Sequence, residues 1–279
     1  MSEKFTVTQQ ERIATLNGAE ELLEMEFESA VDRDNYFRQL EKEMVKKSKE
    51  NISNLLNEKH MTKSVEVGRM LERWLMSDGF TKVETPTIIT KQMLAKMTID
   101  DEHHLTEQVF WLDAKKCLRP MLAPNLYVVM RELKRITNKP VKIFEIGSCF
   151  RKESQGAQHM NEFTMLNCVE LASVKDGDQL ERLKEMAHNA MATLGIPESQ
   201  YELVVEDSTV YGSTVDIEVN GMEVASGSYG PHFLDAAWGV FDTWVGIGFG
   251  IERLTMAMTK SKTIKRFGKS ITFIDGEPL

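Results

Sequence analysis

The chain has 279 residues, of which 42% are hydrophobic and 28% are charged, and its formal net charge is −9. This length allows one large domain or a main domain with a small appendage. No apolar run approaches the roughly 20 residues that a membrane helix needs, and the N-terminus lacks a hydrophobic signal segment, so we expect a cytoplasmic protein. The acidic balance disfavours a surface that binds nucleic acid everywhere, although it allows local basic patches.

The cysteines and histidines do not have metal-ligand spacings. Cys117, Cys149 and Cys168 lie far from any C-x-x-C pattern, and the six histidines show no H-x-x-x-H pattern. Neither a disulfide framework nor a transition-metal site is therefore expected.

The beginning of the chain is predicted to be helical. Residues 1–60 contain no proline and carry apolar residues at helical spacings among many charges, which favours two or more helices. A helix with a strong apolar face is predicted over 62–77, with Gly79 where a C-cap glycine is expected. We therefore predict a helical segment over 1–60 and a larger domain over 61–279.

The middle of the chain mixes strands with helices. Residues 79–89 indicate a loop leading into a strand that is broken at Pro86, and 108–113 predict another strand. Helical spacing returns over 123–136 and 179–194. This order of elements favours an α+β domain with an antiparallel sheet over a doubly wound parallel sheet.

A β-hairpin is predicted between residues 141 and 169. Apolar residues alternate on both sides of a polar loop, and two strands joined by a short loop pair antiparallel. Alternation puts Arg151 and Glu153 on one face of the first strand, and Phe163 and Asn167 on one face of the second. Such a set suits a nucleotide beside an amino-acid derivative. The alternative is an ordinary hairpin with a solvated ion pair and a core phenylalanine.

A second hairpin is predicted around Asn220-Gly221, which is the strongest short hairpin signal. A two-residue turn pairs Glu218 with Glu223, and like charges opposite one another destabilise a hairpin unless a cation lies beside them. Mg²⁺ would relieve this repulsion. Alternatively, both carboxylates face solvent, where screening makes the cost small.

A glycine-rich strand is predicted to run into the last long helix. Residues 244–260 contain this strand and a helix opened by Ile251, Glu252 and Arg253. Free N–H groups and the helix dipole make this helix start a candidate anion site, and tight strand–helix packing is the alternative. Neither a dinucleotide-binding pattern nor a P-loop fits, because Ile251 and Thr263 stand where those motifs require glycine.

Together the two hairpins and the strand–helix junction resemble motifs 2 and 3 of the class II aminoacyl-tRNA synthetases. The Pro86 passage resembles motif 1, which builds the dimer interface in that class. Five segments are more specific and resemble the pyrrolysyl-tRNA synthetase family, in its short form without a separate N-terminal tRNA-binding domain. These segments are LRPMLAPNLY (118–127), KIFEIGSCFRKES (142–154), EFTMLN (162–167), VYGSTVD (210–216) and GFGIER (248–253).

The resemblance implies an ATP site with Mg²⁺. Arg151 would hold the α-phosphate and the region of the substrate carboxylate, Phe163 would stack on adenine, and Arg253 would lie against the other adenine face. The implied ATP-binding residues are Arg151, Glu153, His159, Phe163, Glu223, Ser226 and Arg253. Glu223 and Ser226 would hold Mg²⁺, although strict alternation puts them on opposite faces. That assignment requires a bulge or twist, which Gly227 would permit.

The resemblance also implies a pocket for the amino acid. Asn167 would hydrogen-bond the side-chain amide of the substrate, and the Tyr211 hydroxyl would be the polar tip of an apolar pocket around a pyrroline ring. The implied pocket residues are Ala123, Leu126, Tyr127, Met130, Asn167, Val169, Tyr211, Ser228, Trp244 and Gly246. Because an unpartnered buried carboxamide costs about 1–3 kcal/mol, Asn167 and Tyr211 favour pyrrolysine or a related N-ε-acyl lysine.

The implied reaction has two steps. The amino-acid carboxylate attacks the α-phosphorus of ATP to form an aminoacyl-adenylate, with Arg151, Arg253 and Mg²⁺ as preorganised cations, and the aminoacyl group then passes to the 3′ end of tRNA. The implied partners are the amber-decoding tRNA for pyrrolysine and a second copy of the chain in a homodimer. Residues 1–60 and the basic residues within 260–269 are candidate tRNA contacts.

The sequence departs from the family at four positions, which leaves the substrate open. Ile247 replaces the alanine of a usual G-A-G and is expected to add bulk close to the site. Gly227 replaces a common alanine, and Ser228 and Tyr229 stand where small or aliphatic residues are usual. Three alternatives remain, namely a class II synthetase or adenylate-forming paralogue with another amino acid, a non-catalytic tRNA-binding module, and an ATP-dependent ligase that does not use tRNA.

Overall fold

The computed structural model describes residues 2–152, 156, 159–208 and 212–279, with the backbone alone at 206–208 and 212–213. The chain divides into two compact units. The first comprises Met1–Lys63 and Ser270–Leu279, and the second comprises Ser64–Lys269. The last ten residues therefore belong to the unit that contains the N-terminal helices.

The α-helices are α1 (Val7–Thr15), α2 (Glu20–Leu23), α3 (Ala30–Asn54), α4 (Lys63–Ser77), α5 (Lys91–Ala95), α6 (Ala123–Thr137), α7 (Gln179–Thr193), α8 (Asp235–Trp238) and α9 (Ile251–Thr259). A π-helical turn over Leu55–Lys59 follows α3, and short 3₁₀ helices span His104–Gln108, Glu198–Gln200 and Ile264–Arg266. No helix in the described ranges is both long enough and apolar enough to cross a membrane.

The strands are β1 (Glu3–Lys4), β2 (Glu26–Phe27), β3 (Thr81–Lys82), β4 (Ile88–Thr90), β5 (Lys116–Leu118), β6 (Val141–Phe150), β7 (Glu162–Leu171), β8 (Tyr201–Ser208), β9 (Gly212–Val219), β10 (Met222–Gly230), β11 (Trp244–Gly250), β12 (Phe273–Ile274) and β13 (Glu277–Pro278).

The first unit is built on the long helix α3. Ser29 caps α3 through its side chain, which accepts a hydrogen bond from the Asp32 N–H, and Thr6 with Gln9 forms a capping box at the start of α1. The Phe5 ring meets the Phe27 ring edge-on, with 4.9 Å between centroids. The helical character predicted for residues 1–60 is confirmed.

The second unit is built on a seven-stranded sheet in the order β3-β6-β7-β11-β10-β9-β8. Every neighbouring pair is antiparallel except β3 with β6, which is parallel. The predicted α+β class with an antiparallel sheet is therefore confirmed.

Apolar side chains cover both faces of this sheet. Helices α4, α7 and α9 pack against one face, where Val245, Ile247 and Phe249 of β11 are buried. Helix α6 packs against the other face. Because side chains alternate along a strand, β11 divides its residues between the two faces, and this division decides where a cavity can form.

Two turns follow the predicted chemistry. Gly79 has φ +84° just beyond α4, a conformation that glycine adopts without steric cost. Asn220 and Gly221 both have positive φ, so the two-residue turn pairs Val219 with Met222 and Glu218 with Glu223 as predicted.

The prediction of a strand over 108–113 is wrong. His104–Gln108 forms a 3₁₀ helix, and only an isolated bridge from Trp111 to Cys117 follows it. The Asp113 carboxylate accepts hydrogen bonds from the N–H groups of Lys115 and Lys116, which closes a tight turn directly after this bridge. The apolar residues there are contiguous rather than alternating, so the period that defines a half-buried strand is missing.

Candidate active site

The candidate site is a cavity of about 240 Å³ in the second unit, bordered by β7, β10, β11, α6 and the start of α9. Every predicted site residue that the structure fully describes lines it, namely Ala123, Leu126, Tyr127, Met130, Arg151, His159, Phe163, Asn167, Val169, Glu223, Ser226, Ser228, Trp244, Gly246 and Arg253. Predicted residues Glu153 and Tyr211 lie outside the described residues.

Glycines at alternate positions of β11 form the floor of this cavity. Gly246, Gly248 and Gly250 face it, while the residues between them point into the core on the opposite face of the sheet. A Cβ atom added to Gly248 would lie 3.0 Å from Asn167 Nδ2 and 3.2 Å from Met165 Cε. The cavity therefore owes its depth to the absence of side chains along this strand.

Arg151 lies directly after β6, which ends at Phe150 rather than extending through Arg151 as the hairpin prediction assumed. Its N–H still donates to the Asn161 carbonyl (3.0 Å), so the hairpin pairing continues by one bond. Its Nε donates to the Pro120 carbonyl (3.0 Å), and its Cζ lies 5.3 Å from the centre of the Phe163 ring. The guanidinium is thus oriented by a backbone acceptor and an aromatic face.

A buried ion pair supports the segment that orients Arg151. Arg119 Nη1 lies 2.7 Å from Glu145 Oε1, and the two side chains are 4% and 2% exposed. The Glu145 carboxylate also accepts a hydrogen bond from the Thr85 hydroxyl (2.6 Å), and Arg119 Nε donates to the Ser148 carbonyl (2.8 Å). These hydrogen bonds satisfy both buried charges, as a buried ion pair requires, and the pair joins the passage before Pro86 to β6.

Arg253 lies in the first turn of α9 and reaches β10. Its Nη1 donates to the Glu223 carbonyl (3.1 Å) and lies 3.6 Å from the Glu223 carboxylate. Its Nη2 lies 3.3 Å from His159 Nε2. An arginine, a histidine and the N-terminus of a helix therefore converge on one end of the cavity, as an anion site requires.

Glu252 ties the start of α9 to the strand that carries Phe163. Both of its carboxylate oxygens accept from the Thr164 N–H (2.9 Å each), and the residue is 3% exposed. Burial raises the pKa of the Glu252 carboxyl above its ordinary value, against the opposing effect of the Thr164 hydrogen bonds. Phe163 precedes Thr164 in the chain and Arg253 follows Glu252. The contact between Thr164 and Glu252 therefore holds Phe163 and Arg253 at a fixed separation.

A bulge in β10 brings Glu223 and Ser226 to the same face of the sheet. Glu223 pairs with Glu218 and Ala225 pairs with Ile217, so Val224 is the extra residue. The bulge that the Mg²⁺ assignment requires is present, three residues before Gly227. The Ser226 hydroxyl donates to Asp216 Oδ1 (2.5 Å).

These residues provide oxygen atoms that suit a hard divalent cation. Within the described ranges, no group of three or more histidine, cysteine, aspartate or glutamate side chains could hold a metal. Mg²⁺ is commonly held by one or two carboxylates together with the phosphates of a nucleotide, so the Glu223 carboxylate and the Ser226 hydroxyl fit that ion.

Two buried side-chain oxygens lie in the cavity wall, one on Asn167 and one on Ser228. Neither Asn167 Oδ1 nor Ser228 Oγ has a partner among the residues that the structure describes. Leaving such a group buried and unpaired costs about 1–3 kcal/mol. Unsatisfied polar atoms beside a cavity indicate groups that acquire their partners from a ligand or from water.

The apolar end of the cavity is held by a buried carboxylate that sequence reasoning missed. Asp235 accepts from Trp244 Nε1 (3.0 and 2.9 Å), from the Tyr127 hydroxyl (3.0 Å) and from the His232 N–H (2.5 Å). Asp235 is 3% exposed. It fixes the orientation of the two aromatic side chains that line this end.

The comparisons with known proteins agree with this geometry. Residues 46–275 match the family described as the class II core domain (F) of the tRNA synthetases. The chain is 48% identical to a pyrrolysyl-tRNA synthetase from Desulfitobacterium hafniense of known crystal structure, with a TM-score of 0.91 and coverage of 100% of this chain and 99% of that one. This chain belongs to the pyrrolysyl-tRNA synthetase family. The predicted family and its class II fold are therefore confirmed.

Curated relatives outside the pyrrolysyl-tRNA synthetases match over shorter stretches. An O-phosphoserine–tRNA(Cys) ligase from Methanocorpusculum labreanum is 24% identical over 64% of this chain and 36% of its own length. A lysine–tRNA ligase from Pseudomonas aeruginosa is 34% identical over 46% of this chain and 24% of its own length. The chain thus spans about a third or less of the length of these curated relatives.

Two departures from the pyrrolysyl-tRNA synthetase pattern, Gly227 and Ile247, pair with one another on neighbouring strands. Ile247 borders the cavity, and its side chain packs into the core on the opposite face of the sheet, so its added bulk lies close to the site but on the core side. A Cβ at Gly227 would lie 2.6 Å from Leu183 Cδ1 and 3.1 Å from Ile247 Cγ1. Leu183 and the larger residue at 247 together therefore occupy space that an alanine at 227 would need.

Three residues important to the site were not among the predicted site residues. Glu252 was recognised only as part of a helix start, and Asp235 and Glu145 were not singled out. A buried carboxylate is recognisable from sequence when it interrupts an apolar run, as Glu145 does within KIFEIG. Asp235 begins the four-residue helix α8, and nothing in the sequence around it distinguishes it from a solvated residue.

Proposed function

We propose that the chain is an ATP-dependent ligase that activates pyrrolysine, or a related N-ε-acyl lysine, and transfers it to its tRNA. The observation that carries this proposal is that one cavity is bordered by the Asn167 carboxamide and by the cluster of Arg151, Phe163 and Arg253. The Asn167 carboxamide oxygen has no hydrogen-bond partner among the described residues. An amide-bearing side chain would satisfy Asn167 while the triphosphate meets the cationic end.

The first step is adenylate formation. A carboxylate oxygen of the amino acid attacks the α-phosphorus, the bond from that phosphorus to the bridging oxygen breaks, and pyrophosphate leaves. Arg151 and Arg253 neutralise the charge that develops on the phosphate oxygens, and the held geometry aligns the reactants. A covalent thiolate route has no support, because burial raises the pKa of Cys168, which borders the cavity, to about 12.

Glu223 and Ser226 would hold Mg²⁺, which when bound supplies positive charge to the phosphate oxygens of ATP. Asp216 accepts the Ser226 hydroxyl proton in a hydrogen bond and orients its oxygen. Phe163 would stack on adenine, with His159 and Glu153 as further nucleotide contacts.

In the second step the 3′-terminal ribose hydroxyl of tRNA attacks the carbonyl carbon of the adenylate, and AMP leaves. Basic residues outside the cavity are our candidate tRNA contacts, namely Lys46, Lys47, Lys49, Lys260, Lys262, Lys265, Arg266 and Lys269. We further propose a homodimer formed through the segment around Pro86, and action in the cytoplasm.

The test is amino-acid-dependent exchange of pyrophosphate into ATP with pyrrolysine, an N-ε-acyl lysine and phenylalanine. We expect exchange with the first two only, since phenylalanine offers Asn167 no amide. Arg151→Ala is expected to lower the exchange rate by about 10²–10³, whereas Lys152→Ala, which removes the adjacent exposed charge, serves as the matched control. Near-normal exchange by a folded Arg151→Ala protein would refute the role of Arg151.

A further inference from the structure

Ser228 carries a buried hydroxyl in the wall of the amino-acid pocket. The residue is 5% exposed, lines the cavity, and its Oγ has no hydrogen-bond partner among the described residues. A serine hydroxyl has one proton to donate and two lone pairs, and it moves between staggered positions about one bond. Rotation about this bond alone, without any movement of the backbone, can turn the hydroxyl towards a group in the cavity.

The register of the sheet fixes where this hydroxyl lies. Ser228 pairs with Gly246, and Gly246 pairs with Val169, so the Ser228 side chain stands across the glycine floor from Val169. A Cβ at Gly246 would lie 3.6 Å from both the Trp244 ring and Val169 Cβ. Ser228 is thus a polar group beside the apolar surface that Val169 and the Trp244 ring give to this end of the pocket.

Asn167 lies on β7, so β11 with its glycines separates it from Ser228 on β10. It is also offset from Ser228 by two residues along the strand direction. It pairs with Gly248 on β11, whereas Ser228 pairs with Gly246. With strands about 4.8 Å apart and a rise of about 3.3 Å per residue, the Cα atoms of Asn167 and Ser228 are about 12 Å apart. A substrate that satisfies both side chains needs two polar groups separated by several bonds.

We propose that Ser228 determines substrate specificity by hydrogen-bonding a second polar atom of the substrate, beyond the amide that Asn167 binds. The inference rests on the proposed function. It narrows the substrate class to N-ε-acyl lysines whose acyl group carries an oxygen or nitrogen, as opposed to acyl groups made only of hydrocarbon. A buried polar group that is left unpaired discriminates against an analogue that lacks the matching atom.

The experiment compares two substrates of nearly the same shape, both N-ε-acyl lysines with a five-membered acyl ring. One ring contains a single oxygen atom and the other is entirely carbon. Pyrophosphate exchange gives kcat/KM for each with the parent protein and with Ser228→Val and Ser228→Thr. Valine and threonine have the same shape, so these two variants differ only in the hydroxyl.

The parent protein and Ser228→Thr are expected to prefer the oxygen-containing ring by about tenfold, which corresponds to about 1.4 kcal/mol. Ser228→Val is expected to show about equal kcat/KM for the two rings. The same preference in Ser228→Val as in Ser228→Thr would overturn the inference and leave Ser228 a structural or water-bound residue. If the parent protein activates neither acyl lysine, the proposed function itself fails, and the two failures are thereby distinguished.

Discussion

The glycine floor of the cavity makes a quantitative prediction for Gly248→Ala. The added Cβ would meet Asn167 Nδ2 at 3.0 Å, Asn167 Oδ1 at 3.1 Å and Met165 Cε at 3.2 Å. All three distances are shorter than ordinary van der Waals contact, so the Asn167 carboxamide has to move. Since β11 lies in the middle of the sheet, the side chain yields more readily than the backbone.

The expected loss follows from the hydrogen bond that the displaced carboxamide no longer makes. A buried polar group of the substrate left unpaired costs about 1–3 kcal/mol. Because 1.4 kcal/mol is a factor of ten, the KM for the amino acid is expected to rise between about 5-fold and about 150-fold. The KM for ATP should change far less, because the clash is with Asn167 rather than with the arginines.

The assay is pyrophosphate exchange with the amino acid varied at saturating ATP. Gly250→Ala is the matched control, because its Cβ would meet the nearest atom, Arg253 Cβ, at an ordinary 3.6 Å. Gly248→Ala combined with Asn167→Ala should be no worse than Asn167→Ala alone, since both act through one side chain. Strictly additive losses, or an unchanged amino-acid KM in Gly248→Ala, would refute the reasoning.

Three further predictions concern buried carboxylates. Because burial raises the pKa of Glu252 above its ordinary value of 4.5, the folded protein keeps this proton when the unfolded chain has lost it. The contribution of Glu252 to the free energy of unfolding therefore falls as the pH rises from about 4.5 through the raised pKa. In Glu252→Gln, the free energy of unfolding measured with urea at a series of pH values should depend less on pH over that range. Asp235→Ala should lower the free energy of unfolding by about 3 kcal/mol or more, because Trp244 Nε1 and a backbone N–H lose a charged acceptor. Glu145→Ala should cost about 3–5 kcal/mol by leaving Arg119 buried and unpaired.

Each of these three predictions can be checked with a variant at the same residue or at its partner. Asp235→Asn keeps an acceptor oxygen and should cost less than Asp235→Ala, so equal losses would argue against the hydrogen bonds as the cause. Replacement of Arg119 and Glu145 together by apolar residues of similar volume should cost less than Glu145→Ala. A Glu252→Gln protein with the same pH dependence as the parent would show that Glu252 does not titrate in this window.

Local features of the fold were predictable because a few adjacent residues determine them. Asn220-Gly221 adopts positive φ in a two-residue turn, and that turn alone sets the pairing of Glu218 with Glu223. The prediction of a strand over 108–113 failed because the apolar residues there do not alternate. No local rule therefore distinguished a strand from a turn that is closed by side-chain hydrogen bonds.

The cavity was predictable only in part. Resemblance to the family indicated Arg151 and Arg253, and the structure brings both to one cavity. The position of the bulge at Val224 was not predictable, because a bulge is stabilised by both strands and by the side chains that pack on them.

The sequence by itself determined the strands of the two hairpins and the two-residue turn at Asn220-Gly221. It also determined the glycines that alternate along β11 and the helix that follows this strand. Only the tertiary structure decided that those glycines face the cavity while Ile247 faces the core, and that Asp235 meets Tyr127, 108 residues away along the chain. The physical reason is range. Backbone sterics and side-chain alternation act over a few residues, whereas a buried carboxylate finds its donors only when packing has brought distant elements together.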